Sequence, residues 1–188
     1  MSAALNVWVV GTPAAGKSTL ARRLAAVLGL RHVELDDAFW APGWVPADTA
    51  GFLGAVGALT DEPGWVVDGQ YGSAVQEYAA RAHAVVWVDT PLRVGLPRLV
   101  RRTVARARRG EPLWSAGNVE TWWHAFGPDS IIWYALSVHR EQRRANQELF
   151  RRLAPLGVRL IRVRRPDADA LVRELRTADA LGKEPTHE

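Results

Sequence analysis

The residues of this sequence best suited to chemistry lie in one glycine-rich segment, 11–19, which reads GTPAAGKST. It matches the pattern G-x-x-x-x-G-K-[S/T], in which glycines let backbone N–H groups turn inward around a phosphate. In such a loop Lys17 spans the β- and γ-phosphates of a nucleotide, and the hydroxyl of Ser18 binds Mg²⁺. We therefore expect a nucleoside triphosphate, with ATP as the expected donor, and Mg²⁺. The residues expected to contact the nucleotide are Gly11, Thr12, Ala14, Ala15, Gly16, Lys17, Ser18 and Thr19.

Three predicted strands end in aspartate. Asp68 follows the apolar run WVV, an arrangement typical of a carboxylate that holds Mg²⁺ directly or through water. Asp36, followed by Asp37, is placed to accept the proton of an attacking hydroxyl group. Asp89 precedes a Thr-Pro pair and is expected to cap the next helix. Capping or a turn is the ordinary structural alternative for each of these residues.

Positive charge comes almost entirely from arginine, since the chain has 22 Arg and only 2 Lys, one of which is Lys17. Residues 1–90 carry 5 basic and 9 acidic side chains, residues 91–165 carry 16 and 5, and residues 166–188 carry 3 and 6. The positive excess therefore lies in the middle of the chain. Such a block suits either nucleic acid or a highly phosphorylated small molecule.

Arginines on two predicted helices could stabilise phosphate charge. Arg98 and Arg102 are four residues apart, so they share one helix face, which Arg106 continues. Arg140 lies on the next long helix. Planar guanidinium groups bind phosphate oxygens in pairs and can stabilise a phosphoryl group in transfer. The alternative is a solvated helix face. The candidate catalytic residues are Lys17, Asp36, Arg102 and Arg140, and Arg98 and Arg102 are expected to bind the nucleotide.

The chain contains 9 Trp residues. Trp8 and Trp87 lie within predicted strands and are expected in the core. Trp40 and Trp44 follow the aspartates at the expected mouth of the site, where Trp40 could contact a substrate. They could equally fix the loops to the body of the protein.

Short apolar runs alternate with helical patterns along the chain. Strands are predicted over 5–10, 32–35, 65–68, 84–89 and 158–163, and helices over 18–28, 49–59, 75–82, 91–109, 130–153 and 167–180. Asp129 or Ser130 is expected to cap the helix before 153, segments 38–46 and 110–127 are expected to be irregular, and the tail 182–188 frayed. This alternation predicts an α/β fold, a five-stranded parallel sheet with helices on both faces. Its ligands bind at the carboxyl ends of the strands, where the motifs fall.

Composition excludes several classes of protein. With no Cys, the chain has no disulfide framework and no cysteine nucleophile. No apolar run reaches the roughly 18 residues of a membrane span, and the N-terminal residues suggest a strand rather than a signal peptide. We expect one cytoplasmic domain over 1–188, as a monomer or homodimer.

These motifs resemble the P-loop nucleoside and nucleotide kinases, specifically the adenylate-kinase-like group. Segment 11–19 looks like the phosphate loop of the group, WVVDGQY (65–71) like its third strand, and VWVDTPLRVGLPRLVRR (86–102) like its fourth strand and following helix. In adenylate kinases the two arginines of that helix, here Arg98 and Arg102, pack on adenine and contact phosphates. The resemblance implies a P-loop kinase fold with a small lid.

The sequence is most similar to a bacterial subset often labelled adenylate kinase or DNA topology modulation protein. The shared segments are VELDDAFWAPGW (33–44), VVDGQY (66–71) and GEPLWSAGNVE (110–120). The resemblance implies an acceptor-binding arm near 37–63 and an Arg-rich lid near 106–145, with Asn118 and Glu120 as polar members of the lid. The implied substrate-binding residues are Asp36, Trp40, Asp68, Gly69, Gln70 and Tyr71, and the implied metal ligands are Ser18 and Asp68.

Two departures from adenylate kinases bear on the acceptor. The family has Asp-Gly-Phe-Pro-Arg after strand three, whereas this chain has DGQY at 68–71, without the arginine that binds the AMP phosphate. The arm segment 37–63 contains no Arg or Lys. An uncharged or sugar-like acceptor therefore fits better than AMP.

We expect an ATP-dependent kinase that moves the γ-phosphate to a small-molecule hydroxyl or a nucleoside or nucleotide. A P-loop protein that binds nucleic acid or modifies its ends is the alternative, favoured by the basic block and opposed by the acidic arm. A nucleotide-dependent switch is a third option, although the chain has no N-K-x-D motif for reading guanine.

Overall fold

The computed structural model describes residues 5–127 and 130–181 and contains nine strands. They are β1 (Val7–Val10), β2 (Arg31–Glu34), β3 (Trp40–Ala41), β4 (Val45–Pro46), β5 (Trp65–Asp68), β6 (Ala84–Val88), β7 (Pro112–Leu113), β8 (Asn118–Val119) and β9 (Arg159–Val163). Five form one parallel sheet in the order β2-β5-β1-β6-β9, and the short strands form two hairpins, β3–β4 and β7–β8.

The helices cover both faces of this sheet. They are α1 (Lys17–Leu28), α2 (Leu35–Phe39), α3 (Thr49–Leu59), α4 (Gly72–Tyr78), α5 (Leu92–Arg109), α6 (Trp122–Phe126), α7 (Ile131–Leu153) and α8 (Ala168–Leu181). Within the described ranges, no helix is long and apolar enough to cross a membrane. The two longest helices, α5 and α7, carry most of the arginines of the basic block.

Alternating strand residues build two separate cores. Trp8 and Val10 face one side of the sheet, where α3, α4 and α7 pack, and Val7 and Val9 face the other, where α1 and α8 pack. Side chains buried on both faces explain why β1 reads as a continuous apolar run. The predicted core positions of Trp8 and Trp87 are confirmed, because their side chains are 0% and 2% exposed. The five-stranded, three-layer α/β fold is also confirmed.

The region after β2 departs from the prediction. The strand ends at Glu34, and α2 follows at once, so Asp36 lies in the first helical turn rather than at a strand end. Asp36 and Asp37 suit that turn because a helix N-terminus stabilises negative charge. Leu35, which is fully buried, anchors α2 to the core. The segments predicted to be irregular contain the two hairpins.

The start of α7 agrees with the sequence. The Ser130 hydroxyl accepts a hydrogen bond from the backbone N–H of Trp133, which confirms the predicted cap. Its alternative, Asp129, and the tail 182–188 lie outside the described residues.

Candidate functional site

The phosphate loop joins the central strand β1 to α1. Gly11 and Gly16 have φ angles of 150° and 101°, and Ala14 has a φ of 58°. A side chain at Gly11 would also place its Cβ 2.5 Å from the carbonyl oxygen of Val88 in β6. Glycine is therefore required at position 11 both by the backbone conformation and by the neighbouring strand.

Side chains from outside the loop fix its shape. Gln70 Oε1 accepts a hydrogen bond from the Gly11 N–H at 2.8 Å, and Gln70 Nε2 donates to Asn146 Oδ1 of α7 at 2.9 Å. The Thr90 hydroxyl donates to the Ala15 carbonyl at 2.8 Å. The Gln70 amide, which was predicted to contact substrate, is thus engaged by the loop and by α7.

Sequence reasoning missed Asn146, although a signal was present. Asn146 is fully buried and stands in the apolar series of α7 that includes Leu149 and Leu153. A polar residue at a core position of a helix needs a partner, because burying an unpaired amide is costly.

Gly69 links the end of β5 to α2. Its carbonyl accepts a hydrogen bond from Trp8 Nε1 at 3.2 Å, and a Cβ there would lie 2.6 Å from Leu35 Cβ. Its described contacts are therefore with the core, and the predicted contact with substrate stays a prediction.

Lys17 begins α1 and points back along the loop. Its Nζ donates to the Thr12 carbonyl at 3.1 Å. Burial lowers the pKa of Lys17, and the nearby charges of Asp68 and Asp36 oppose that shift. The amine thus lies within electrostatic reach of both carboxylates.

Asp68 is the most deeply buried carboxylate of the site. It is 3% exposed, and within the described part of the chain its Oδ1 has no hydrogen-bond partner. Burial raises the pKa of Asp68, while Lys17 and a hydrogen bond from Ser18 lower it. An unpaired buried oxygen beside a hydroxyl fits a hard cation such as Mg²⁺. The described residues contain no cluster of three His, Asp or Glu side chains suited to a metal, so Mg²⁺ here would take its other ligands from phosphate and water.

Asp36 is held by a tyrosine. The Tyr71 hydroxyl donates a short hydrogen bond to Asp36 Oδ1, and the Trp40 indole lies within hydrogen-bonding reach of the same hydroxyl. Burial and the charge of Asp36 raise the pKa of Tyr71, so its proton stays in place to donate. This hydrogen bond fixes Asp36 Oδ1 and thereby also sets the orientation of Oδ2.

A cavity of about 410 Å³ lies beside the loop. Lys17 and Ser18 line it together with Arg98 and Arg102 of α5, and Pro166 closes the side beyond β9. The structure thus brings both predicted nucleotide-binding arginines to the phosphate loop. Arg102 also lies within electrostatic reach of Asp36 and Asp68.

Arg140 is placed differently. Its side chain is exposed on α7 and is not among the residues that line this cavity, so its catalytic role stays a prediction. The arginines of the predicted lid, 106–145, belong to α5 and α7, since residues 110–127 between these helices contain none.

The prediction that Asp89 caps a helix is wrong. Asp89 instead accepts hydrogen bonds from Arg143 Nε at 2.8 Å and from Arg162, which lies 4.4 Å over the Trp87 ring. Burial alone would raise the pKa of Asp89, but the hydrogen bonds and charges of both arginines outweigh it and hold that pKa below its usual value. The carboxylate thereby ties β6, α7 and β9 together.

Comparison with known proteins supports the fold. No family model and no curated protein matches the sequence. Among solved structures, shikimate kinase from Acinetobacter baumannii in complex with shikimate is similar over 96% of both chains, with a TM-score of 0.57 and 18% sequence identity. At this identity the likeness concerns the fold alone. Together with the sheet order and the phosphate loop, it shows that this chain has the fold of the P-loop small-molecule kinases.

Proposed function

We propose that this protein is an ATP-dependent phosphotransferase that moves the γ-phosphate to a hydroxyl group of a small molecule. The observation that carries the proposal is the arrangement around one loop: Lys17, Ser18 and Asp68 meet there, and Asp36 lies within electrostatic reach of Lys17 and Arg102. Cation, hydroxyl and two carboxylates are the groups that phosphoryl transfer requires.

The loop side of the site binds the donor. Backbone N–H groups and Lys17 cradle the β- and γ-phosphates, and Arg98 and Arg102 add positive charge from α5. Ser18 and Asp68 would hold Mg²⁺, which neutralises charge on the phosphate oxygens when bound.

The opposite side orients the acceptor. The acceptor hydroxyl oxygen forms a bond to the γ-phosphorus while the bond to the bridging β–γ oxygen breaks and ADP leaves. Asp36 takes the hydroxyl proton on the oxygen that Tyr71 does not hold. Because Tyr71 fixes Asp36 of α2 by this hydrogen bond, the carboxylate is oriented before the acceptor arrives.

The acceptor side favours uncharged compounds. Segment 37–63 contains no Arg or Lys, so it offers no cation for a phosphate or carboxylate on the acceptor. Neutral polyols, sugars and nucleosides therefore fit better than nucleotides. Shikimate, the ligand of the similar kinase, carries a carboxylate and is expected to be a poor acceptor.

The proposal is tested by measuring transfer of label from γ-labelled ATP to a panel of neutral, anionic and cationic hydroxyl compounds. An oligonucleotide with a free 5′-hydroxyl in the same panel tests the nucleic-acid alternative. Asp36→Asn should abolish transfer while leaving ATP affinity nearly unchanged. Asp61→Asn, an exposed aspartate after α3, is the matched control and should behave as the wild type. Full transfer by Asp36→Asn would refute the role of Asp36.

A further inference from the structure

Two hairpins meet at the acceptor side of the site. We call β3–β4 with its turn, 40–46, the arm hairpin, and β7–β8 with its turn, 112–119, the lid hairpin. Asn118 of the lid hairpin uses both ends of its amide to join them. Its Oδ1 accepts from the Trp44 N–H at 3.0 Å, and its Nδ2 donates to the Ala41 carbonyl at 3.0 Å. At 4% exposure, this amide is shielded from competing water.

Further contacts extend this junction to α2. The backbone N–H of Ser115 donates to Asp37 Oδ1 at 2.6 Å, and Trp114 Nε1 donates to Glu34 Oε1 at 3.3 Å. Glu34 and Asp37 lie on either side of Asp36 in the sequence. The lid hairpin therefore holds the short helix that carries the proposed catalytic base.

Two tryptophans with left-handed backbone conformations, one in each hairpin, pack against each other at the junction. Trp44 and Trp114 have φ angles of 61° and 54°, a left-handed conformation that bulky residues rarely adopt. Their rings pack edge to face with centroids 5.6 Å apart, and Trp44 Nε1 donates to the Val119 carbonyl at 3.2 Å. Strained residues persist where their surroundings force the conformation, and they concentrate at functional sites.

The lid hairpin also reaches the nucleotide side. Glu120 follows β8 directly, is 6% exposed and lies 3.9 Å from Arg106 of α5. Arg106 is one helical turn from Arg102, which lines the nucleotide cavity. Arg106 and Glu120 thus join the helix that lines the nucleotide cavity to the lid hairpin, which in turn bonds to Glu34 and Asp37 on either side of Asp36.

We propose that Asn118 is a positioning residue that clasps the lid hairpin to the arm hairpin, so that both close over the site as one cap and hold Asp36 toward the phosphate loop. The joining of the two hairpins by Asn118 does not depend on the proposed function. The coupling of the hairpins to nucleotide binding does rest on the proposed function. One consequence is that nucleotide binding orders the acceptor side before the acceptor arrives.

The absence of Cys from the sequence makes a distance experiment direct. Spin-label pairs are placed by Val45→Cys in the arm hairpin, Glu111→Cys beside the lid hairpin and Ala26→Cys in α1. Without nucleotide, the arm–lid pair should show one narrow distance. With Mg²⁺ and a non-hydrolysable ATP analogue, that distance should stay constant while both hairpins shift against α1 by roughly 2 Å or more.

Asn118→Ala should broaden the arm–lid distance and let the lid hairpin respond to the analogue without the arm hairpin. Trp123→Ala, which removes a side chain that is 73% exposed on α6, is the control and should match the wild type. If Asn118→Ala does not fold, Trp44→Phe keeps the backbone N–H that donates to Asn118, removes the indole N–H bond and part of the ring packing, and should broaden the distance less.

A broad arm–lid distance in the wild type, or a narrow one in Asn118→Ala, would overturn the clasp. A lid shift without an arm shift in the wild type, or no shift with analogue bound, would overturn the coupling. Failure to bind the analogue at all would instead count against the proposed function, since the distance without nucleotide tests the clasp alone.

Discussion

The phosphate loop and the clasp, the hydrogen bonds by which Asn118 joins the arm hairpin to the lid hairpin, are stabilised by different kinds of contact. The loop follows a strand at the centre of the sheet, and its shape is imposed by glycines and by buried neighbours such as Val88. The clasp joins two exposed hairpins of two-residue strands, and its shape depends on a few side-chain hydrogen bonds and on two strained tryptophans. The proposed donor side is thus built into the core, whereas the proposed acceptor side is assembled from two short hairpins outside the central sheet. The proposed phosphotransfer benefits from that division, because its acceptor side must open to exchange ligands and close to exclude water.

The largest effect is expected from removing the charge of the loop. Lys17→Ala should lower ATP turnover by about 10³-fold, because the half-buried cation proposed to stabilise the developing phosphate charge is lost. Initial rates of ADP formation measure this effect. Thermal unfolding should change little, because the Lys17 side chain makes one described hydrogen bond, to the Thr12 carbonyl. Normal turnover in the folded variant would remove the loop from the mechanism.

The next effect concerns the ion pairs by which Asp89 joins β6 to α7 and β9. Asp89→Ala should lower the free energy of unfolding by about 1–3 kcal/mol, since two partly exposed arginines lose their buried partner. The lowered pKa of Asp89 adds a pH dependence: its contribution is complete above the unfolded pKa, near 4, and is lost as the pH falls through the lower folded value. Denaturation by urea at pH 7 and at pH 3 should show a difference between wild type and variant that shrinks at the lower pH. A constant difference would contradict the assigned ion pairs.

A smaller effect is expected where the loop meets its support. Gln70→Ala removes the described partner of the Gly11 N–H and of Asn146 Oδ1, so ATP affinity should fall by about tenfold, the equivalent of roughly 1.4 kcal/mol. Calorimetric titration with an ATP analogue measures this change. Gln76→Ala, at an exposed position on α4, is the control. Equal affinities for wild type and Gln70→Ala would mean that the loop keeps its shape without this contact.

The smallest effect belongs to the acceptor side. Tyr71→Phe removes the hydrogen bond that orients Asp36, so the transfer rate should fall by about tenfold or less while ATP affinity is retained. Single-turnover kinetics with an active acceptor separate the two quantities. A loss of ATP affinity instead would place Tyr71 on the donor side and contradict the separation of the phosphate loop from the acceptor side.

Sequence reasoning succeeded where the chemistry lies within a short segment. The phosphate loop is nine consecutive residues, and Asp68 follows an apolar run at the end of a strand, so spacing alone predicted their places. The apolar runs and helical periodicity predicted the five sheet strands for the same reason.

Sequence reasoning failed where hydrogen-bonded residues are far apart along the chain. Gln70 and Gly11 are 59 residues apart, Asp89 and Arg162 are 73 apart, and Asn118 and Trp44 are 74 apart. No local pattern connects such residues, and they meet only in the folded chain. Asp36 does not stand at the predicted strand end, because α2 begins at Leu35, which is buried in the core.

The most direct measurement is the Mg²⁺ dependence of ATP binding in the wild type and in Asp68→Asn. We predict that Mg²⁺ tightens binding by about tenfold or more in the wild type, because Asp68 Oδ1, which has no partner among the described residues, and the Ser18 hydroxyl would hold the ion. Asp68→Asn should lose this gain while binding metal-free ATP normally. Asp68→Asn should also unfold at a higher temperature at neutral pH, since burial disfavours the charge that the substitution removes. An equal gain from Mg²⁺ in both proteins, or no binding of ATP by the wild type, would contradict the assignment of this site to a magnesium nucleotide.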